Sequence, residues 1–167
     1  MWPIPVLVLY GTVFLPWVNR RTGGVQLDDP VLRLFKARDF SSVIFVILYV
    51  SFALAIYDLG LIRVLELSAT SALVRIVTLT LTNLDPPSDG IALNDPFMRV
   101  FTKSNELDRE LFYSGHTMSL WLNACSTGAP YQWALFAVCS VLLVWQKCHY
   151  TIDVAVIPLL MGFQMLI

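Results

Sequence analysis

Charged residues are scarce in this sequence: they make up 14% of its 167 residues, compared with about 25% in soluble domains. Apolar residues make up 57%, and the mean hydropathy is +0.69. This composition indicates an integral membrane protein rather than a soluble domain. The net charge of −1 shows none of the basic excess that nucleic-acid binding favours, so we expect no nucleic-acid partner.

Cysteine is also rare, and the first apolar run lacks features of an ordinary signal peptide. The three cysteines are odd in number and match no zinc-binding spacing, so we predict small buried side chains; they are Cys125, Cys139 and Cys148. No basic residue precedes the first apolar run, and prolines interrupt it. We therefore expect this run to remain as a membrane span rather than to be cleaved.

Long apolar segments supply the fold prediction. A helix needs about 20 mostly apolar residues, with a range of roughly 17–25, to cross a bilayer core. We predict an all-α fold with one domain over residues 1–167, an integral membrane bundle of about six transmembrane helices. The predicted spans are Trp2–Val18, Ser42–Tyr57, Leu65–Leu84, Leu111–Cys125, Tyr131–Trp145 and Tyr150–Ile167.

The connections between these segments alternate in character. The first and third, Asn19–Ser41 and Asp85–Glu110, are long and charged, whereas the second and fourth are short. Each long connection contains an Asp-Pro pair followed by mixed apolar and basic residues, in Leu27–Phe35 and Leu93–Phe101. This pattern predicts a short interfacial helix in each long loop. With six spans, the first, third and fifth connections lie on one side of the membrane.

The sequence contains only two histidines, and both begin predicted helices on that side. His116 lies in Ser-Gly-His-Thr at residues 114–117, and His149 lies in His-Tyr-Thr-Ile-Asp at residues 149–153. Ionisable residues are costly beside lipid and usually mark function. Two of them at matching depths predict one polar site at the membrane surface.

His149 and Asp153 are four residues apart, which places them on one face of a helix. A carboxylate in that position accepts the Nδ1–H of the imidazole, fixes its tautomer and leaves Nε2 free to attack. The alternative is a structural pair that joins helices or caps a helix start. The spacing alone does not choose between the two.

The Ser-Gly-His-Thr string favours an anion such as phosphate. Gly115 permits close approach of the backbone, and N–H groups at a helix N-terminus attract negative charge. His116 can then act as general acid or base. Ser114 either donates a hydrogen bond to the ligand or caps the helix.

The two strings, ELFYSGHT at residues 110–117 and CHYTIDVAV at residues 148–156, resemble the sphingomyelin synthase family. This family is a branch of the type 2 phosphatidic acid phosphatase superfamily, and the resemblance extends over about Leu79–Leu160. It implies transfer of a phosphorylated headgroup, such as phosphocholine, from a glycerophospholipid to ceramide or a related lipid alcohol. With water as acceptor, the same site would act as a phospholipase C or a phosphatase.

The resemblance also implies roles for the motif residues. His149 would be the nucleophile that forms a phosphohistidine, Asp153 would orient it, and His116 would move the proton. The partners would be a phospholipid and ceramide or diacylglycerol, with no cofactor; an oligomer is left open. Glu110 stands where relatives usually carry Asp. The Lys- and Arg-containing first motif of the lipid phosphate phosphatases is absent, which favours a phosphodiester over a phosphomonoester substrate.

Four further residues are candidates for substrate binding. Arg75 lies midway along the third predicted span, where an arginine either faces a ligand or pairs internally with Glu66, Asp58 or a carbonyl. Glu110 and nearby acids are expected to attract a quaternary amine, with cation–π contacts from Tyr113 or Tyr150.

Sidedness and two rival functions complete the sequence-based expectations. Basic residues concentrate on the histidine side, which the positive-inside rule places in the cytoplasm, whereas the family resemblance implies the luminal, exoplasmic or periplasmic side, which we favour. Two histidines and one carboxylate are also the ligand set of some iron sites. A non-catalytic lipid-binding protein with a structural His–Asp pair is the rival of another class.

Overall fold

The computed structural model of the chain describes residues 2–94 and 111–162, with side chains up to residue 160. Regular structure in these residues is helical, apart from one isolated parallel β-bridge between Val25 and Leu84. The all-α prediction is therefore confirmed for the described chain. The helices are α1 (Pro3–Asn19), α2 (Ser41–Leu59), α3 (Leu61–Leu81), α4 (Gly115–Thr127), α5 (Pro130–Gln146), α6 (Thr151–Ala155) and α7 (Ile157–Gly162).

Helices α2 and α3 are long and apolar enough to cross a membrane. Their exposed side chains include large apolar residues such as Val46 and Leu81, as a lipid-facing surface requires. Helices α1 and α5 are also apolar but shorter. The described helices occupy the positions of the six predicted segments, and spanning by the other four stays a prediction.

Local sequence explains where several helices bend or end. In α1, the stretch Tyr10–Phe14 is π-helical and directly precedes the turn that contains Pro16. Proline has no backbone N–H to donate to the preceding turn, so the helix widens there. Between α2 and α3, Gly60 alone forms the connection, with a φ of +82°. The predicted connection Asp58–Val64 was therefore too long.

Helix α4 lies at the centre of the described bundle. It packs against α2, α3, α5 and α7, and its residues Met118, Leu120 and Ala124 are completely buried. Such burial fixes a helix far more strongly than its intrinsic propensity does. The N-terminus of α4, which carries His116, is thereby held in a constant position relative to the neighbouring helices.

The first, third and fifth connections meet at one end of the bundle, as the alternation of loop lengths predicted. Val25 donates its N–H to the Asn83 carbonyl at 2.9 Å, and Ile91 donates to the Gln146 carbonyl at 3.1 Å. The buried Gln146 side chain also accepts the Phe40 N–H at 2.8 Å. These bonds satisfy backbone groups that the helices do not pair.

The interfacial helix predicted in the first long loop is absent from the described residues. Only one turn of 3₁₀ helix, Leu32–Leu34, is present in Leu27–Phe35. Asp29 starts this turn by accepting the Val31 N–H at 3.0 Å, as a capping side chain does, but the backbone becomes extended at Phe35 and the helix ends after one turn. Most of the corresponding segment Leu93–Phe101 lies outside the described residues.

Asp39 provides a pH test of the loop that leads into α2. Its Oδ1 accepts the Ser41 N–H at 2.9 Å, and hydrogen bonds from the hydroxyl and the N–H of Ser41 lower the pKa of Asp39 below its ordinary value of 3.8. A lowered native pKa means that the ionised carboxylate stabilises the folded state, and that this contribution disappears as the pH falls.

We therefore expect Asp39→Asn to lower the midpoint of thermal unfolding in detergent at pH 7. The difference from the wild type should persist down to about pH 4 and close at lower pH, where the wild-type carboxyl becomes protonated. A difference that stays constant to pH 2.5 would show that the charge of Asp39 is not responsible.

Candidate active site

The backbone turns sharply just before α4. Phe112 and Tyr113 have φ values of +76° and +77°, a region that side chains other than glycine rarely occupy. Ser114 is the N-cap, and its Oγ accepts the Thr117 N–H at 3.4 Å. The predicted start at Leu111 was therefore four residues early, because two left-handed residues cannot belong to a right-handed helix. The capping role expected as an alternative for Ser114 is observed.

The helix of the second motif begins at Thr151, one residue after the predicted start at Tyr150. Tyr150 is the N-cap of α6, so His149 lies in the preceding loop rather than on the helix. The predicted His–Asp contact nevertheless forms, with 3.3 Å between His149 Nδ1 and Asp153 Oδ2. The same oxygen accepts the Tyr150 N–H at 3.0 Å, as the acidic residue of a capping box does. Asp153 thus both caps α6 and contacts the imidazole.

Asp153 joins the two motifs to each other. Its Oδ1 accepts the Phe112 N–H at 3.2 Å, and its main-chain carbonyl accepts the Ser114 N–H at 3.1 Å. The residue is completely buried, where a carboxylate is tolerated only with several hydrogen-bond donors. The turn at 112–114 supplies one of those donors, the Phe112 N–H, and the Tyr150 N–H supplies another.

The two histidine rings lie close together in an edge-on arrangement. Their ring centroids are 6.4 Å apart, and the His116 ring packs against Phe45 at 5.6 Å. His116 Nδ1 is buried and has no hydrogen-bond partner among the described residues. A buried polar atom without a partner is uncommon and calls for an explanation. A ligand or a transferred proton at this imidazole would provide one.

Arg75 brings a positive charge to the same place. Its side chain is buried in α3, and its guanidinium carbon lies 5.7 Å from the centre of the Tyr113 ring and 5.9 Å from that of Tyr10. A Cβ atom on Gly115 would lie 1.9 Å from Arg75 Nη1. Gly115 is therefore the residue that lets the guanidinium lie against the first turn of α4.

The internal partners predicted for Arg75 have other contacts. Glu66 Oε2 lies 3.3 Å from Arg63 Nη1 on the first turns of α3, and Asp58 accepts a hydrogen bond from the Tyr131 hydroxyl. Glu66 lies more than two helical turns from Arg75, and the Arg75 guanidinium lies against the start of α4.

The structure assembles most of the predicted site and separates one residue from it. The residues brought together are His116, His149, Asp153, Ser114, Gly115, Tyr113 and Arg75. Tyr150 is buried elsewhere: its hydroxyl donates to the Asp85 carbonyl at 2.8 Å and accepts the Leu27 N–H at 3.2 Å. The Tyr150 hydroxyl is thus a structural link between loops, and the cation–π role of its ring stays a prediction. Glu110 lies outside the described residues.

The ring of Tyr113 contacts a cation of the protein itself. Its side chain is completely buried, and its ring faces the Arg75 guanidinium. A ring face that already contacts one cation is not open to a quaternary amine. In this structure Tyr113 supports Arg75 rather than a lipid headgroup.

Two residues that the sequence did not indicate hold the site from outside. Asp29 accepts the Thr151 N–H at the start of α6, and Gln146 bonds to the Ser41 hydroxyl at 3.0 Å and to the loop that contains Ile91. Their partners are 50 to more than 100 positions away, so no local pattern identifies them. The one available signal was a glutamine at the end of an otherwise apolar segment.

Within residues 2–94 and 111–162, no group of three or more His, Cys, Asp or Glu side chains is arranged to bind a metal ion. Asp153 and His149 contact each other instead of converging with His116 on a shared point. The geometry of the described residues therefore gives no support to the iron-type ligand set.

Comparison of the sequence with protein-family models and with curated proteins finds no match. The functional interpretation therefore depends on the site itself. Its chemistry is that of an anion site: a guanidinium and a helix N-terminus attract negative charge, and two imidazoles can exchange protons or attack phosphorus.

The contact between Gly115 and Arg75 can be tested by substitution. We expect Gly115→Ala to destabilise the protein by about 1–3 kcal/mol, because Arg75 is confined between two tyrosine rings and cannot move away freely. In the double variant Gly115→Ala/Arg75→Ala, the added methyl group has space. The double variant should therefore lose less folding free energy than the sum of the losses in the two single variants. Thermal unfolding in detergent measures all three.

Gly11→Ala is the matched control, since a Cβ at that helical glycine meets no atom within 4 Å. It should leave the unfolding midpoint nearly unchanged. Equal effects of Gly11→Ala and Gly115→Ala, or strict additivity of the double variant, would contradict the proposed packing.

Proposed function

We propose that this protein is a multi-pass membrane phosphotransferase, similar to sphingomyelin synthase, which moves a phosphorylated headgroup between lipids through a phosphohistidine. One observation carries the proposal: His149 contacts the buried Asp153 carboxylate, and its ring centre lies 6.4 Å from that of His116. A nucleophile, its orienting acid and an independent proton carrier are the components that such a reaction needs.

The first half-reaction uses both histidines. Asp153 holds the Nδ1–H of His149, so the lone pair on Nε2 attacks the phosphorus of a phospholipid. A P–N bond forms, the P–O bond to the glyceride breaks, and His116 donates a proton to the departing alkoxide. The products are diacylglycerol and a phosphorylated His149 that carries the headgroup.

In the second half-reaction His116 accepts a proton and His149 is the leaving group. The hydroxyl of an acceptor lipid such as ceramide gives its proton to His116 as its oxygen attacks phosphorus. A new P–O bond forms and the P–N bond to His149 breaks, which restores both imidazoles. Water in place of the lipid alcohol would give hydrolysis by the same steps.

Arg75 and the start of α4 supply the charge for a phosphate. The guanidinium lies against Gly115, and the main-chain N–H groups at this terminus add a partial positive charge. A phosphodiester carries one negative charge, for which a single arginine is suitable. A phosphomonoester dianion usually requires more cationic groups, so the diester remains the proposed substrate.

The membrane placement follows from the same proposal. If all six apolar segments cross the bilayer, the end of the bundle that carries both histidines lies at one membrane surface. A lipid headgroup reaches that depth while its acyl chains stay in the hydrocarbon. We propose the luminal, exoplasmic or periplasmic surface, on the family resemblance alone.

One observation favours a second candidate, a non-catalytic protein in which the pair is structural. Asp153 binds three main-chain groups in addition to His149: the Tyr150, Phe112 and Ser114 links described above. Its burial would be explained by these bonds even without chemistry. The two candidates differ in what the loss of each histidine does.

The test uses purified protein with fluorescent ceramide or diacylglycerol and a mixture of phospholipid donors. The wild type should form a new fluorescent phospholipid, and His149→Ala and His116→Ala should each lose at least about 10³-fold in turnover while their unfolding midpoints stay near that of the wild type. Acid-labile phosphate on the peptide that contains His149 should appear in the wild type when acceptor is withheld.

Cys148→Ala, next to the nucleophile but chemically inert in this scheme, is the control and should remain active. Release of free headgroup phosphate without a lipid product would identify a hydrolase. If the wild type and His149→Ala give the same products with every donor, or if His149→Ala loses folding rather than activity, the enzymatic proposal is wrong.

A further inference from the structure

Asp29 belongs to the loop between α1 and α2, yet it contacts the start of α6. Its Oδ2 accepts the Thr151 N–H at 2.7 Å, and its Oδ1 accepts the Val31 N–H at 3.0 Å. One carboxylate thus joins two segments that are 122 positions apart. The bond to Thr151 is the shorter of the two, as expected for a carboxylate at the first N–H groups of a helix.

The bond partner lies within the proposed catalytic segment. Thr151 is the first residue of α6, between His149 and Asp153. Asp153 takes the Tyr150 N–H, and Asp29 takes the next N–H along the chain. The two carboxylates together use successive donors at this terminus, so the backbone that carries the His149 ring is held from both sides.

A second contact aligns the same loop. The Leu27 N–H bonds to the Tyr150 hydroxyl at 3.2 Å, and that hydroxyl donates to the Asp85 carbonyl. The loop is also paired to the third connection through Val25. Asp29 is therefore presented by a segment with several fixed points, which gives its carboxylate a defined position.

The charge of Asp29 is maintained at neutral pH. Partial burial on its own raises the pKa of this carboxyl, but the hydrogen bonds from Thr151 and Val31 outweigh that effect and bring the pKa below its ordinary 3.8. An ionised carboxylate is a stronger acceptor than a neutral one. The neighbouring Asp28 differs: it pairs only with the exposed Arg33 among the described residues.

We propose that Asp29 is a positioning residue for the His149–Asp153 pair and acts through the Thr151 N–H from a loop remote in sequence. Its catalytic consequence rests on the proposed function, but its effect on the His149 segment does not. Without the carboxylate, the first turn of α6 has a free donor and fewer restraints. The His149 ring then samples positions away from both Asp153 and His116, and a displacement of 1 Å is enough to slow a reaction strongly.

The first experiment needs no enzymatic activity. Hydrogen exchange of the full-length protein in detergent, followed by mass spectrometry, measures protection of the peptide that contains Thr151. In Asp29→Ala this peptide should exchange about tenfold faster, which is the effect of losing one helix-capping side chain. Asp28→Ala, the matched control, should exchange like the wild type.

Labelling with diethyl pyrocarbonate, which reacts with imidazole, measures how accessible the His149 ring is. The side chain of His149 is 5% exposed, so the wild type should react slowly at this residue. Asp29→Ala should react several-fold faster at His149, while Asp28→Ala should not. Asp29→Asn keeps an oxygen that can accept the Thr151 N–H, so it should lie between Asp29→Ala and the wild type in both measurements.

The transfer assay then tests the catalytic consequence. With donor and acceptor lipids, Asp29→Ala should lower kcat by about tenfold and change KM by less than about twofold, because the phosphate contacts at Arg75 and α4 are untouched. Asp29→Asn should restore part of kcat. A general loss of stability would instead reduce the active fraction in proportion to unfolding.

The outcomes separate this inference from the proposed function. If the wild type transfers no headgroup but the exchange and labelling differences appear, the phosphotransferase proposal fails and the positioning role stands. If Asp29→Ala matches Asp28→Ala in exchange and labelling, the positioning role is overturned, whatever the activity. If Asp29→Ala fails to fold, Asp29→Asn supplies the same comparison, and wild-type behaviour of that variant in exchange, labelling and kcat overturns the role.

Discussion

The buried Asp153 carboxylate is the interaction on which the rest of the site depends. A completely buried charge would cost several kcal/mol without compensation, so the chain must deliver donors to it. The donors come from the loop before α6 and from the turn before α4. The hydrogen bonds that satisfy this one side chain therefore bring two distant motifs together and hold an imidazole beside it, so the same contacts serve the structure and the proposed reaction.

Arg75 supplies a buried positive charge at the start of α4. Arg75 reaches the α4 terminus because Gly115 has no side chain and because Tyr113 and Tyr10 provide ring faces on which a guanidinium is stabilised. An anion at the start of α4 would meet this guanidinium and a helix N-terminus, and the His149–Asp153 pair lies at the start of α6 nearby. This polarity suits phosphorus chemistry better than metal binding.

Much of the framework was predictable because it follows from local patterns. Apolar segment lengths located the helices, and alternating loop lengths placed both histidines at one end. The spacing of His149 and Asp153 anticipated their contact, although His149 precedes the helix. The helix start at residue 115 was not predictable, since the turn before it is held by bonds from the Phe112 and Ser114 N–H groups to the distant Asp153. The interfacial helix predicted in the first loop was wrong, because the backbone becomes extended at Phe35 after a single turn.

The sequence by itself determined the helical class, the apolar segments and the residue types available for chemistry, because hydropathy and motif spacing are properties of neighbouring residues. Tertiary structure alone decided which polar groups meet. Arg75 turned to Gly115 instead of Glu66, Tyr150 became a link between loops, and Asp29 reached Thr151. These choices depend on donors and acceptors that are far apart in the chain, and only packing brings them within the short range over which hydrogen bonds act.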